Sequence, residues 1–247
     1  MTGAPAIRSI VAADPEALAL SAADWLAAAA AAKQDVFAVA LAGGRTPRRL
    51  YELLASAPYA EGFPWWRTHW FFGDERFVAP DDELSNFRMV REALFSRAPV
   101  PPGNIHAVPT QGLTPEVAAR AYQEELKSFY GADRFDPARP LFDACLLGLG
   151  PDGHTASLFP GSAALEEREH WVAAVVGSKP EVRITLTRPA LESSSELAFL
   201  VEGREKRAIL GRLLEGDPAL PAAHLRPTGA TLLFADAAAA GAPGGSG

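Results

Sequence analysis

The sequence predicts an α/β protein built on a mainly parallel sheet. Short, continuous apolar runs such as Val36–Leu41 and Phe142–Leu147 are typical of strands that are covered on both faces. Segments with helical character separate these runs along most of the chain. Because strands that alternate with helices form βαβ units, this order favours parallel strands.

The predicted elements follow one another in a regular order. The alanine-rich segment Pro15–Lys33 predicts the first helix. Thr46 followed by Pro47 predicts the start of the second, with Thr46 as its N-cap. The helices after the first are predicted over Pro47–Ala55, Ser85–Phe95, Thr114–Tyr130 and Arg204–Leu214. Strands are predicted over Ile7–Val11, Val36–Leu41, His69–Phe72, Phe142–Leu147, Arg183–Thr187, Leu197–Val201 and Thr231–Phe234.

Composition limits the classes of protein and partner. The chain has 247 residues, 23 basic and 30 acidic side chains, and a net charge of −7. Its hydrophobic fraction of 48% predicts a globular protein. We expect one domain over residues 1–236 and a disordered tail over residues 237–247. The acidic balance disfavours nucleic acid or an anionic membrane as the main partner, and an anionic substrate would have to be bound by local positive charge.

Cysteine content and hydropathy restrict the compartment. The single cysteine, Cys145, excludes an internal disulfide and a cysteine metal cluster, and its apolar strand predicts a buried side chain. The first ten residues lack the pattern of a signal peptide. The apolar run Trp25–Ala32 is too short to cross a bilayer, which takes about 20 residues. We expect a cytoplasmic protein, as a monomer or a small homo-oligomer.

Ligands of open parallel sheets bind beyond the carboxyl ends of the strands, so the residues after each strand are the candidate site. The first such segment follows Leu41. Gly43 and Gly44 allow a tight turn and a close approach of the backbone to a ligand. The free N–H groups of the next helix favour a phosphate or carboxylate, and Arg45 and Thr46 add a charge and a hydroxyl. The segment is not a P-loop, and a plain strand-to-helix turn explains it equally well.

The second segment is a charged triplet after an apolar strand. Asp74, Glu75 and Arg76 form a solvated turn in one interpretation. Their position at the end of a strand favours a functional one, in which Arg76 binds an anion and Asp74 binds sugar hydroxyls or orients a cation. Ser85 opens the following helix as its N-cap.

The third segment, Gly148–Thr155, contains the pattern Gly-x-Gly-x-x-Gly after a strand. A dinucleotide site is disfavoured because Pro151 stiffens the turn and no second strand with an acidic end follows about 20 residues later. His154 is the better candidate, as a general base that exchanges protons near neutral pH. The alternative is a histidine that caps the next helix.

The remaining motifs exclude two classes of site. His69, His106, His170 and His224 have no partner at the spacing of metal ligands, so no metal site is expected. The sequence also lacks the Gly-x-Ser-x-Gly motif, which disfavours a serine hydrolase.

Together, these segments resemble the 6-phosphogluconolactonase family in order and spacing. The shared motifs are Gly43–Pro47, Asp74–Arg76 with Ser85-Asn86, Gly148–Gly161 and Lys179–Thr187. The resemblance covers nearly the whole chain, and the histidine-bearing motif is the most specific part. One local departure is Arg45, where the family often carries serine.

The resemblance implies a fold of the glucosamine-phosphate-isomerase type, a Rossmann-like three-layer sandwich. It implies hydrolysis of 6-phospho-D-glucono-1,5-lactone to 6-phosphogluconate, in the oxidative pentose phosphate pathway, without a metal or a bound nucleotide. His154 would be the general base, and Asp74 and Arg76 would line the pocket and take part in catalysis. The positions implied in binding the substrate and its phosphate are Gly43, Gly44, Arg45, Thr46, Asp152, Lys179, Arg183 and Lys206. Of these, Lys179 matches the basic position that the family assigns to the phosphate, and Arg183 and Lys206 are further candidates for it.

Two alternatives remain open at this point. A glucosamine 6-phosphate isomerase or deaminase shares the glycine-rich turn and an Asp-Gly-His segment. Arg76 after Asp74-Glu75, and Thr155–Pro160 after His154, favour the lactonase. A non-catalytic sugar-phosphate sensor would predict an added DNA-binding helix-turn-helix or a lost histidine, and His154 is present.

Overall fold

The computed structural model of the chain describes residues 7–241. In chain order its strands are β1 (Ile7–Ala12), β2 (Phe37–Leu41), β3 (Thr68–Phe72), β4 (Asp74–Arg76), β5 (Phe142–Leu147), β6 (Val172–Val175), β7 (Arg183–Leu186), β8 (Ser194–Val201) and β9 (Ala230–Asp236). Its α-helices are α1 (Pro15–Ala32), α2 (Arg45–Leu54), α3 (Tyr59–Gly62), α4 (Asn86–Val90), α5 (Pro115–Tyr130), α6 (Ala163–Glu166), α7 (Arg188–Glu192), α8 (Arg207–Leu214) and α9 (Ala237–Ala240).

The main sheet has six parallel strands in the order β1-β9-β8-β5-β2-β3. Helices cover it: α1 packs on β1, β9 and α2, and α7 packs on β8. Every residue of β2 is buried, as its continuous apolar sequence predicts. The predicted α/β class with a mainly parallel sheet is therefore confirmed. Because the strands are parallel, the turns that follow β2, β3 and β5 meet at one edge of the sheet.

A second sheet has three antiparallel strands in the order β4-β7-β6, of which only β7 lies in a predicted strand, Arg183–Thr187. Its strand β4 is the charged triplet, so the interpretation of that segment as a solvated turn is wrong. Pairing with β7 sets Asp74 opposite Thr185 and Arg76 opposite Arg183. Since side chains alternate along a strand, Asp74 and Arg76 share one face and Glu75 takes the other, where it is buried.

Helix starts agree with the predictions at two positions and differ at one. Ser85 accepts a hydrogen bond from the backbone N–H of Arg88, and Thr114 caps α5 in the same way, as predicted. The predicted N-cap Thr46 is wrong, because the N-cap is Gly44 and the helix begins at Arg45, two residues before the predicted start at Pro47. Gly44 has a φ of 107°, which only glycine adopts readily, and this turns the chain into the helix sooner.

Buried Glu75 organises the start of α4. Its carboxylate accepts hydrogen bonds of 2.7 Å from the backbone N–H groups of Arg76, Asn86 and Phe87, and one of 3.1 Å from the Ser85 hydroxyl. Burial raises the pKa of Glu75, although these N–H groups act in the opposite direction. The role of Glu75 is therefore structural, and the sequence does not reveal it.

We expect Glu75→Ala to lower the free energy of unfolding by about 2–4 kcal/mol, since each buried donor left without an acceptor costs about 1–3 kcal/mol. Denaturant titration measures this difference. Glu83→Ala is the matched control, because Glu83 is an exposed carboxylate in the same loop. Equal stability of the two variants would contradict the role assigned to Glu75.

The C-terminal residues differ from the predicted disordered tail. Residues 237–240 form α9, whose first turn is capped by the Asp236 carboxylate and whose Ala237 and Ala239 are buried. Residues 242–247, the rest of that predicted tail, lie outside the described residues. Within residues 7–241, no helix is long and apolar enough to span a membrane.

Candidate active site

A cavity of about 310 Å³ opens at the carboxyl ends of β2, β3 and β5. It brings together eight residues that the sequence analysis singled out from distant parts of the chain. They are Gly43, Gly44, Asp74, Arg76, His154, Lys179, Arg183 and Lys206. The expected position of the site beyond the strand ends agrees with this cavity.

Three other predicted residues lie beside this cavity and do not line it. Arg45 and Thr46 line an adjoining cavity of about 240 Å³, which shares Gly43, Gly44 and Lys206 with the first. Asp152 reaches the site through its contact with His154. The exposed side chain of Arg45 is therefore separated from the cavity that holds His154.

The imidazole of His154 is oriented by Asp152. The carboxylate Oδ1 of Asp152 contacts ring Nδ1 of His154 and accepts a 3.2 Å hydrogen bond from its backbone N–H. Partial burial alone would raise the pKa of Asp152, but these hydrogen bonds outweigh burial and lower the pKa. A proton held on Nδ1 leaves the Nε2 lone pair free to accept another, so His154 has the arrangement of a general base.

Two neighbours fix the plane of the His154 ring. The ring of Phe159 packs against it with centroids 4.6 Å apart. Gly150 lies directly beneath it: a Cβ on Gly150 would come within 2.0 Å of Nδ1. The second glycine of the Gly-x-Gly-x-x-Gly pattern therefore makes room for the imidazole, which differs from its role in dinucleotide sites.

Arg76 and Arg183 form a pair of adjacent cations on the cavity wall. They face each other across β4 and β7, and both line the cavity. Arg76 donates to the carbonyl of Leu84 at 2.6 Å, and Arg183 contacts Glu181 at 3.2 Å. Both Nε atoms are buried, and neither has a hydrogen-bond partner among residues 7–241.

Electrostatics makes this pair a site for an anion. Burial lowers the pKa of Arg183, and the neighbouring charge of Arg76 lowers it further. Asp74 and Glu181 act in the opposite direction without cancelling the effect. An anion in the cavity would relieve the repulsion between the two guanidiniums.

The two lysines of the cavity lie at different places. Lys179 Nζ is 3.9 Å from Asp152 Oδ2 and 5.2 Å from the centre of the Phe159 ring, so it is close to His154. Lys206 donates a 2.7 Å hydrogen bond to the carbonyl of Leu149 and lines both cavities.

Comparison with known proteins identifies the family to which the chain belongs. The family model described as glucosamine-6-phosphate isomerases/6-phosphogluconolactonase matches residues 13–234. The chain belongs to this family. As a member of the glucosamine-6-phosphate isomerase/6-phosphogluconolactonase family, it is 41% identical over 212 residues to a 6-phosphogluconolactonase from Nostoc sp., covering 84% of this chain and 85% of the relative.

Solved structures confirm the fold of this family member. A 6-phosphogluconolactonase from Thermotoga maritima superposes with a TM-score of 0.76 at 36% identity, over 94% of this chain and 99% of that one. A monomeric glucosamine-6-phosphate deaminase superposes with a TM-score of 0.79 at 23% identity, over 95% and 99%, a likeness that shows the fold alone. The Rossmann-like α/β architecture that the resemblance implied is confirmed.

The site of this family member also depends on residues that sequence reasoning missed. The buried hydroxyl of Tyr51 bonds to both the N–H and the carbonyl of Ala42, where β2 ends. Tyr122 does the same at Phe72, where β3 ends. These tyrosines fix the two strand ends that carry the site, and nothing in their local sequence distinguishes them from ordinary core residues.

A histidine pair lies outside the cavity. His69 and His106, which look isolated in the sequence, meet at 2.9 Å between ring nitrogens, and His106 also contacts Glu125 at 2.6 Å. Burial, and then the neighbouring His106, lower the pKa of His69. Within the described part of the chain, no group of three or more His, Cys, Asp or Glu residues is arranged to hold a metal ion.

Proposed function

We propose that this protein hydrolyses 6-phospho-D-glucono-1,5-lactone to 6-phospho-D-gluconate, as an enzyme of the oxidative pentose phosphate pathway. The observation that carries the proposal is a single cavity that holds both the His154 base and the Arg76–Arg183 cation pair. A phosphorylated lactone needs a base at its carbonyl and positive charge at its phosphate. The names of the relatives support the same reaction.

In the proposed mechanism, His154 activates water. Nε2 takes a proton from the water molecule whose oxygen attacks the lactone carbonyl carbon, C1, and the C1 carbonyl becomes an oxyanion. The tetrahedral intermediate collapses, the bond between C1 and the ring oxygen breaks, and the imidazolium returns its proton to that oxygen. Asp152 stabilises the imidazolium between these steps through its contact with Nδ1.

The phosphate is assigned to Arg76 and Arg183. Guanidinium groups bind phosphate oxygens with two donors each, and both of these guanidiniums line the cavity that holds His154. Because the phosphate does not react, its binding energy holds C1 against His154 during the reaction. Asp74 lies beside the pair, where its negative charge partly offsets the positive charge of Arg183.

The other predicted residues are assigned to the sugar and to the base. Gly43, Gly44 and Lys206 line both cavities, so we assign them to the sugar oxygens. Arg45 and Thr46 are assigned to contacts through the adjoining cavity. Lys179 is the alternative ligand of the phosphate. Its short distance of 3.9 Å from Asp152 instead favours a position of its ammonium group near the reacting carbon.

The test of this function is a lactonase assay. The lactone is generated enzymatically, and the appearance of 6-phosphogluconate is followed through 6-phosphogluconate dehydrogenase, with a correction for spontaneous ring opening. We expect a clear acceleration that is lost with the unphosphorylated lactone. Release of ammonia from glucosamine 6-phosphate, without lactone hydrolysis, would overturn the proposal and move the chain to the deaminase branch.

A further inference from the structure

The loop that carries His154 is fastened to the small sheet through one buried residue, Ser157. Its hydroxyl donates a 2.6 Å hydrogen bond to Asp74 Oδ2 on β4. Its backbone N–H donates a 3.1 Å hydrogen bond to Thr185 Oγ1 on β7. Ser157 is 0% exposed and Thr185 1%, so the bond between them is buried, whereas the bond to the half-buried Asp74 is partly buried at the cavity wall.

The register of β4 and β7 relates this attachment to the cation pair. Asp74 and Thr185 are directly opposite each other, and so are Arg76 and Arg183. The two pairs are two residues apart along each strand and share one face of the sheet, a separation of about 6.6 Å. The Asp74–Thr185 pair binds the loop that carries His154, and the Arg76–Arg183 pair is the proposed anion site.

Both ends of the attachment are rigid. Asn86 donates to the Asp74 carbonyl at 2.9 Å and to its carboxylate at 3.3 Å, so Asp74 is held from the side opposite its own strand partner. On the loop, the Thr155 hydroxyl donates to the Gly148 carbonyl at 2.9 Å. Between Thr155 and Ser157, Ala156 adopts a φ of 46°, a left-handed conformation that persists only where the surroundings impose it.

We propose that Ser157 is a positioning residue that sets the distance between the His154 base and the Arg76–Arg183 pair. The site would then select lactones by the span between their carbonyl carbon and their phosphate. This inference rests on the proposed function. Ser157 touches neither the substrate nor the reacting atoms in this scheme, and it acts by fixing where His154 lies relative to a phosphate already bound.

The consequence is a defect in turnover without a defect in binding. A misplacement of about 1 Å between a base and its target costs about 10²-fold in rate. Loss of the Ser157 hydroxyl removes one of the two hydrogen bonds that fasten the loop and leaves both arginine side chains in place, so kcat falls and KM does not rise. A lactone with a shorter distance between its carbonyl carbon and its phosphate is already misaligned in the native site. Its rate of hydrolysis should therefore change little.

The experiment compares two phosphorylated lactones, 6-phosphoglucono-1,5-lactone and the shorter 5-phosphoribono-1,4-lactone, in the native protein and in Ser157→Ala. We expect the native protein to prefer the 1,5-lactone strongly. In Ser157→Ala we expect kcat for the 1,5-lactone to fall by about 10–100-fold with KM unchanged, and the rate on the 1,4-lactone to stay as it was. The preference for the 1,5-lactone over the 1,4-lactone is therefore expected to fall by the same factor.

Ser162→Ala is the matched control, because Ser162 lies on the same loop and its buried hydroxyl has no hydrogen-bond partner among the described residues. It should behave as the native protein. Thr185→Val, which removes the acceptor of the Ser157 N–H with little change in shape, is the second variant should Ser157→Ala fail to fold. We expect Thr185→Val to lower the preference for the 1,5-lactone as well.

Three results would overturn the inference. They are equal rates of the native protein on both lactones, equal losses on both substrates in the folded variant, and a rise in KM that accounts for the loss. Failure of the native protein to hydrolyse either lactone would overturn the proposed function instead, so the two failures are distinguishable.

Discussion

His154→Ala is expected to lose most of its lactonase turnover, with kcat reduced by about 10²–10⁴-fold, the usual contribution of a general base. KM should stay close to its native value, because the groups assigned to the phosphate lie on β4 and β7. Alanine also removes the ring that packs on Phe159, so binding of 6-phosphogluconate, measured by calorimetry, shows whether the site is otherwise intact.

His170→Ala is the control for this substitution. His170 is exposed, and among the described residues its imidazole has Glu167 as its one hydrogen-bond partner, so its loss removes an imidazole without touching the cavity. Near-normal turnover in His154→Ala, or an equal loss in His170→Ala, would remove His154 from the mechanism.

The second large effect is expected from the cation pair. Replacement of Arg183 by methionine should raise KM for the phosphorylated lactone by about 10–100-fold, since a hydrogen bond to a charged group contributes about 1.5–3 kcal/mol. The thermal stability of the ligand-free Arg183→Met variant should not be lower than that of the native protein. Burial and the nearby Arg76 already disfavour the charge of Arg183, as its lowered pKa indicates, so the substitution removes a strained cation.

Lys179→Met provides the comparison that locates the phosphate. If the pair binds the phosphate, the rise in KM is larger in Arg183→Met than in Lys179→Met, and protection against thermal unfolding by 6-phosphogluconate is lost only in the arginine variant. The reverse order would assign the phosphate to Lys179. Arg168→Met, at an exposed arginine, is the control for loss of charge alone.

The sequence predicts those parts of the site that depend on residues close together in the chain. The apolar runs of β2 and β5 identify the strands, and Asp152 and His154 are near enough in sequence for their contact to follow from a single turn. The predicted start of α2 is wrong by two residues because the conformation of Gly44, rather than the hydroxyl of Thr46, determines where the helix begins.

Long-range pairing explains what the sequence could not predict. Arg76 and Arg183 are brought together by the register of β4 and β7, and neither strand reveals its partner. Strand β4 is three charged residues long and β6 has four residues, too short for a periodic pattern to identify them. The sequence therefore indicates the base and the candidate cations, and the antiparallel pairing decides which cations act as a pair.

The close packing of the His154 ring on Gly150 has a consequence for divergent members of this family. A homologous chain can retain the histidine, its aspartate and every arginine, and still have no room for the imidazole if any larger residue replaces the glycine. Such a chain would bind sugar phosphates without hydrolysing them, as a pseudoenzyme. If His154 is the base, inactivation in this lineage needs no change in any proton-transferring group, because a single methyl group at position 150 would displace the imidazole.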